Sequence, residues 1–155
     1  MKIYNIIDQK TFTKQLFIEE VFDNFLVIEA DFITEFGIYF DGHKTDFEIG
    51  EDEYISWGVL KRQAFEAIKG SKLPKGFRIV LKLSMANTAN TLRSLGIEQN
   101  AETGLYLNVK YSDGSMTLTG GTSTTEFSVV KDLDRGWERF LEKFFLMKSI
   151  SYEEL

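Results

Sequence analysis

Apolar residues recur along the chain with two periods, and each period predicts a type of element. Lys2 to Ile7 is short and β-branched, which predicts a strand. Asp8 is placed to cap a helix carrying Phe12, Leu16 and Phe17 on one face. Phe25 to Ile33, Phe36 to Phe40 and Thr45 to Ile49 read as three further strands, with Asp41-Gly42 as a turn. Glu51, Asp52 and Glu53 then open a helix whose stripe is Trp57, Leu60, Ala64, Phe65 and Ile68, and Gly70 ends it. After Pro74, Phe77 to Leu83 predicts a strand, and Ser84 caps a short helix with Ala89, Leu92 and Leu95 that stops at Gly96. Gly104 to Tyr111 alternates Leu105, Leu107 and Val109 against Tyr106, Asn108 and Lys110. Ser112-Asp113-Gly114 predicts a hairpin, Ser115 to Thr119 returns, Gly120-Gly121 reads as a second turn and Thr124 to Val130 as a third strand. Asp132 opens a last helix with Leu133, Trp137, Phe140, Leu141 and Phe144 inward, and the polar tail after Ser149 is expected to fray.

This order is β-α-β-β-β-α, twice. The fold class it implies is α+β, with a largely antiparallel sheet and four helices in one domain, 1–155. A shift of 80 residues aligns Thr45, Phe47, Asp52, Trp57 and Phe65 with Thr125, Phe127, Asp132, Trp137 and Phe145. The expectation is an internal duplication, with pseudo-repeats at about 1–70 and 76–148.

Composition narrows the chemistry. Of 155 residues, 43% are hydrophobic and 14% aromatic, enough for a substantial core. There is no Cys and a single His, which excludes a thiolate nucleophile, a disulfide and any Cys-ligated or two-His metal centre. No Gly-x-Ser-x-Gly elbow is present. The net charge of −6 suits a soluble protein and disfavours wholesale nucleic-acid binding. The first residues lack a signal-peptide core and no apolar run reaches a membrane span, so the expected location is the cytoplasm, without membrane association.

Charge is unevenly placed. Lys61, Arg62, Lys69, Lys72, Lys75, Arg78 and Lys82 fall in one stretch against Glu66 alone. The first six are candidates for an anion-binding face, met by phosphate, nucleic acid or an acidic partner. The bland reading is a helix C-terminus plus outward strand positions. Asp41 to Glu48 holds the only imidazole, His43, among carboxylates, a set that suits either a metal-dependent enzyme or a solvated turn. Neither a ligand spacing nor a second His supports a metal, and no metal or cofactor is expected. Gly120-Gly-Thr-Ser-Thr124 has the composition of a phosphate cradle but lies between two predicted strands, where a hairpin fits better. Phe22, Phe36, Tyr54 and Phe145 fit their elements poorly and are candidates for a surface cluster. Phe144-Phe-Leu-Met147 is apolar almost all round, which reads equally as packing beneath the tail or as a homodimer interface.

Val21-Phe-Asp-Asn-Phe-Leu-Val-Ile-Glu-Ala30, the Trp57 helix and Gly104-Leu-Tyr-Leu-Asn108 resemble an uncharacterised family of short proteins from Clostridia-type Firmicutes. That resemblance implies a bacterial cytoplasmic protein and brings no activity with it. In topology alone, the repeated unit is similar to a domain of the DNA sliding clamps. The resemblance implies DNA-facing helices bearing Lys10, Lys14, Asn87, Asn90 and Arg93. The added Trp helices and the short chain depart from that pattern, and fold likeness alone says little about function. The leading expectation is a non-catalytic binding or assembly module that recognises an unknown protein or anionic partner through its basic segment and surface aromatics. The alternatives are a clamp-like DNA factor and a small metal-dependent enzyme at the Asp41–Glu48 turn.

Overall fold

A computed structural model describes residues 1–70, 74–98, 102–126 and 129–155. In chain order the elements are β1 (Ile3–Ile6), α1 (Gln9–Phe17), β2 (Leu26–Ile33), β3 (Gly37–Asp41), α2 (Trp57–Ile68), β4 (Gly76–Lys82), α3 (Met85–Ser94), β5 (Gly104–Ser112), β6 (Ser115–Ser123), α4 (Val130–Met147) and β7 (Tyr152–Glu154). The strands form one antiparallel sheet in the order β3-β2-β4-β5-β6-β1-β7. The α+β class and the four helices agree with the expectation.

Strand alternation sets which face is buried. Leu105, Leu107 and Val109 of β5 lie beside Leu81 and Ile79 of β4, and all five are buried. On the opposite face Lys82, Val80 and Arg78 pair with Tyr106, Asn108 and Lys110, and this face is left open. The helices supply the other half of the core through Leu16, Phe17, Trp57, Leu92, Leu133, Trp137 and Phe145. A fully buried side chain of this size contributes about 1.5–3 kcal/mol.

Local signals hold at several ends. Asp8 accepts from the Thr11 amide at 3.1 Å and Ser84 from the Asn87 amide at 3.1 Å, each satisfying an orphan donor of its helix. Asp113 and Gly114 turn the β5–β6 hairpin with φ of 52° and 79°.

Other elements differ from expectation. Thr45 to Ile49 is not a strand: Phe47 and Ile49 alternate with polar residues yet both are exposed, and no sheet neighbour receives them. Gly42 makes no turn. It continues the chain beside β2, where a Cβ would lie 1.8 Å from the Val27 carbonyl oxygen, so only glycine permits the approach. The acids at 51–53 do not open α2, which begins at Trp57; the Asp52 carboxylate instead accepts from the Met85 amide at the start of α3. Gly120 and Gly121 lie inside β6, not at a turn. A Cβ at Gly120 would come within 2.9 Å of Leu141 and 3.1 Å of the Trp137 ring, so the missing side chain is room for α4. The third strand expected at Thr124 to Val130 is not formed by its described residues, and Val130 already belongs to α4. The tail does not fray: β7 pairs with β1, and Tyr152 packs on Tyr4 and Phe145.

Element order therefore repeats as β-α-β-β-α, followed by β7, with two strands rather than three after each first helix. The β2–β3 and β5–β6 hairpins repeat, but the placement of the first strand of each half does not. β4 lies between β2 and its own half's β5, whereas β1 lies between β6 and β7. Trp57 begins α2 and donates its indole N–H to the Leu16 carbonyl at 2.6 Å; Trp137 sits within α4 and donates to the Tyr106 carbonyl at 2.8 Å. The pairing of these two tryptophans that motivated the shift of 80 is thus not met by equivalent surroundings, and Phe127 lies outside the described residues.

Candidate functional site

The open sheet face is charged but largely self-satisfied. Arg78 pairs with Glu29 and lies 3.5 Å from Asp31, its cross-strand neighbour. Lys82 sits over the Tyr106 ring at 5.6 Å from its centroid. The basic stretch does not gather on one surface. Lys61, on α2, is half-buried, 2.6 Å from Asp23, and also donates to the Glu19 carbonyl at 2.8 Å. Arg62 is exposed on the same helix, whereas Arg78 points out on the opposite side of the sheet from α2. Lys75 is exposed just before β4, and Lys72 lies outside the described residues. Lys10 and Lys14 are exposed on α1, which packs on α2 and, through Gln15, on the end of α4. Asn87, Asn90 and Arg93 are exposed on α3, whose end at Leu95 packs on Gly136 of α4.

His43 is exposed and lies 3.5 Å from Glu53, with Phe47 and Tyr54 edge-on to its ring. Among the described residues, no three His, Asp or Glu side chains are grouped to hold a metal ion. Of the four misfit aromatics, Phe22 and Phe145 are fully buried and Tyr54 is half-buried, which leaves Phe36 exposed. In α4, Leu146 and Met147 are exposed beyond the buried Phe145.

Among the described residues, two depressions on the helical side are lined by several aromatic residues. The wider, about 1200 Å³, lies between the end of α3, α4 and the approach to β7, against Leu95, Arg139, Glu142, Phe145, Ile150 and Tyr152. Of its polar lining, Glu142 is tied to groups behind the wall. The buried Tyr4 hydroxyl donates to Glu142 at 3.1 Å, Lys2 Nζ lies 3.2 Å from the same carboxylate, and the Lys2 backbone N–H donates to Glu138 at 2.8 Å. Burial, reinforced by the Glu142 charge, holds the Tyr4 phenol well above its ordinary pKa of 10.0.

The second is a groove of about 490 Å³ beside α1 and the end of α2. Its floor is aromatic and aliphatic: Phe17, Phe65, Ile68, Phe77, Tyr111 and Met116. Phe17 meets Phe77 edge-on at 5.8 Å, and Phe77 lies against Tyr111 at 5.6 Å. Helical spacing explains the wall, since Phe65 and Ile68 share a face of α2. Gln9 closes one end by donating to the Gly114 carbonyl of the β5–β6 turn at 2.7 Å. Lys10 of α1 and Lys69 after α2 stand at the rim, both exposed, with Lys69 also 2.8 Å from Glu66. Sequence reasoning placed these lysines in separate surfaces. Nothing in their spacing of 59 positions signals that they meet, because α1 and α2 become neighbours through tertiary contacts such as those of Phe17 with Trp57 and Phe65.

Among the described residues, no helix is long and apolar enough to cross a membrane. Comparison with curated proteins and with solved structures finds no match. A family model does match, over residues 15–153, described as "Family of unknown function (DUF5721)", and the chain belongs to that family.

Proposed function

We propose that the chain is a non-catalytic binding module and that its ligand seat is the groove beside α1 and α2. The occupant that fits is an anionic amphiphile: a small molecule with an apolar body and one acidic head. The observation that carries this reading is the pairing of an apolar floor with two rim ammonium groups, Lys10 and Lys69. Apolar lining with few convergent polar groups is the usual make-up of a small-molecule pocket. The volume suits a medium-length acyl chain or a fused aromatic acid. A catalytic reading lacks support of this kind, since His43 stands on an exposed segment remote in sequence from every groove residue. A cytoplasmic setting is part of the same proposal.

Calorimetric titration with decanoate, using decanamide as the neutral control, tests it. Decanoate should bind more tightly than decanamide. Lys10→Ala with Lys69→Ala should weaken decanoate by about tenfold while leaving the amide unchanged, as expected for losing modest charge-assisted contacts. Thr13→Trp, at the groove wall, should block both. Equal affinity for the two probes in all variants, or none for either, would overturn the reading.

A further inference from the structure

The two edges of the sheet are built differently. β7 is three residues long and ends in Glu153 and Glu154, a short, charged edge that resists further pairing. β3 is longer, runs against β2 without a register shift, and contains no Lys and no Pro. Its exposed Tyr39 and half-buried Ile38 and Phe40 add apolar surface to both sides of the strand.

Hydrogen bonds around the β2–β3 hairpin show which backbone groups the edge presents. Thr34 N–H donates to the Phe36 carbonyl and Gly42 N–H to the Ile28 carbonyl. Bonded pairs alternate in an antiparallel ladder, so Phe32/Ile38 and Ala30/Phe40 are the bonded pairs between them. The N–H and C=O groups of Gly37, Tyr39 and Asp41 therefore point away from β2. Among the described residues no other strand takes them up.

We propose that β3 is a self-association edge, pairing antiparallel with β3 of a second copy about a two-fold axis at Tyr39. In that register Tyr39 faces its own counterpart. Gly37 faces Asp41 of the second copy, so the strand's single charged residue meets a glycine and no like charges are opposed. Ile38 faces Phe40 of the second copy, and each covers half-exposed apolar surface on the helical side. The outward groups of Gly37, Tyr39 and Asp41 then exchange bonds with one another, and the two sheets become continuous. A self-complementary patch of this kind closes as a dimer. This inference stands apart from the groove, which shares no residue with β3.

Sedimentation velocity from about 1 µM to about 1 mM, the range of weak to moderate association, tests it together with amide hydrogen exchange. The chain should dimerise. Gly37, Tyr39 and Asp41 amides should slow as concentration rises, while Ile38 and Phe40 amides stay protected throughout. Tyr39→Pro removes only an outward donor, which an edge strand tolerates, and should raise the dissociation constant about tenfold or more. Tyr39→Lys places two ammonium groups across the axis and should weaken the dimer most at low salt. A chain that stays monomeric overturns the proposal, whatever other strand the edge accepts. So does a dimer that both variants leave intact while the three amides remain unprotected.

Discussion

The wide depression beside α4 and the narrow groove beside α1 both expose aromatic surface, yet their charges are used in opposite ways. In the first, Tyr4, Glu142 and Lys2 satisfy one another and tie β1 to α4. In the second, Lys10 and Lys69 stand exposed at the rim of an apolar floor, and among the described residues Lys69 meets only the exposed Glu66 of its own helix end. Under the proposed binding function, size is a poor guide to which hollow takes a ligand. A wall carboxylate already paired with a buried hydroxyl, as Glu142 is with Tyr4, behaves as part of the scaffold, because displacing it leaves a buried group without a partner.

That contrast can be broken most forcefully at Phe145, which lies fully buried beneath the wide depression against Tyr4 and Tyr152. Phe145→Ala should cost about 3–5 kcal/mol in denaturant unfolding, the usual range for a buried aromatic. An effect within about 0.5 kcal/mol, the range for exposed sites, would mean that this wall is not structural. Glu142→Ala should cost about 1–3 kcal/mol, because the Tyr4 hydroxyl loses its acceptor inside the protein. Decanoate binding at the groove should be unchanged in that variant.

A pH series refines the same side of the comparison. Tyr4 has its pKa raised in the folded state by burial and then by Glu142. The contribution of its neutral form is thus fully present below the unfolded value of 10.0 and is lost as pH rises beyond it. Unfolding midpoints should fall above pH 10.0 and fall less steeply in Tyr4→Phe. Parallel slopes in the two proteins would show that Tyr4 does not govern the alkaline limb. The smallest effect belongs to the groove: Lys10→Ala with Lys69→Ala should shift stability by less than about 0.5 kcal/mol, as for exposed side chains, the Lys69–Glu66 pair being a surface pair of little worth. A larger loss would make these lysines scaffold and erase the difference between the two hollows.

Much of the local structure was legible along the chain. Asp8 and Ser84 cap helices where their positions indicated, and Asp113-Gly114 turns the hairpin, since each depends on a few consecutive residues. The alternation in β5 named its buried face. The misreadings share a cause. Phe47 and Ile49 alternate like a strand but find no strand partner among the described residues; Tyr152 to Glu154 looks like a loose tail but finds β1. Gly42 and Gly120 read as turns, although each is small because another segment passes close by. The groove was not legible as a site, because its residues come from α1, α2, β4, β5 and β6.

By itself, the sequence determined the fold class, the helices, most strands and the absence of cysteine chemistry, because periodicity, capping and composition act over short stretches of chain. Only the tertiary structure decided which strands are neighbours, which cations are already paired, and which sheet edge stays unguarded. Those outcomes depend on contacts between residues distant in sequence. Lys10 and Lys69 share a rim, and Lys61 is committed to Asp23, for reasons of packing that no local pattern records.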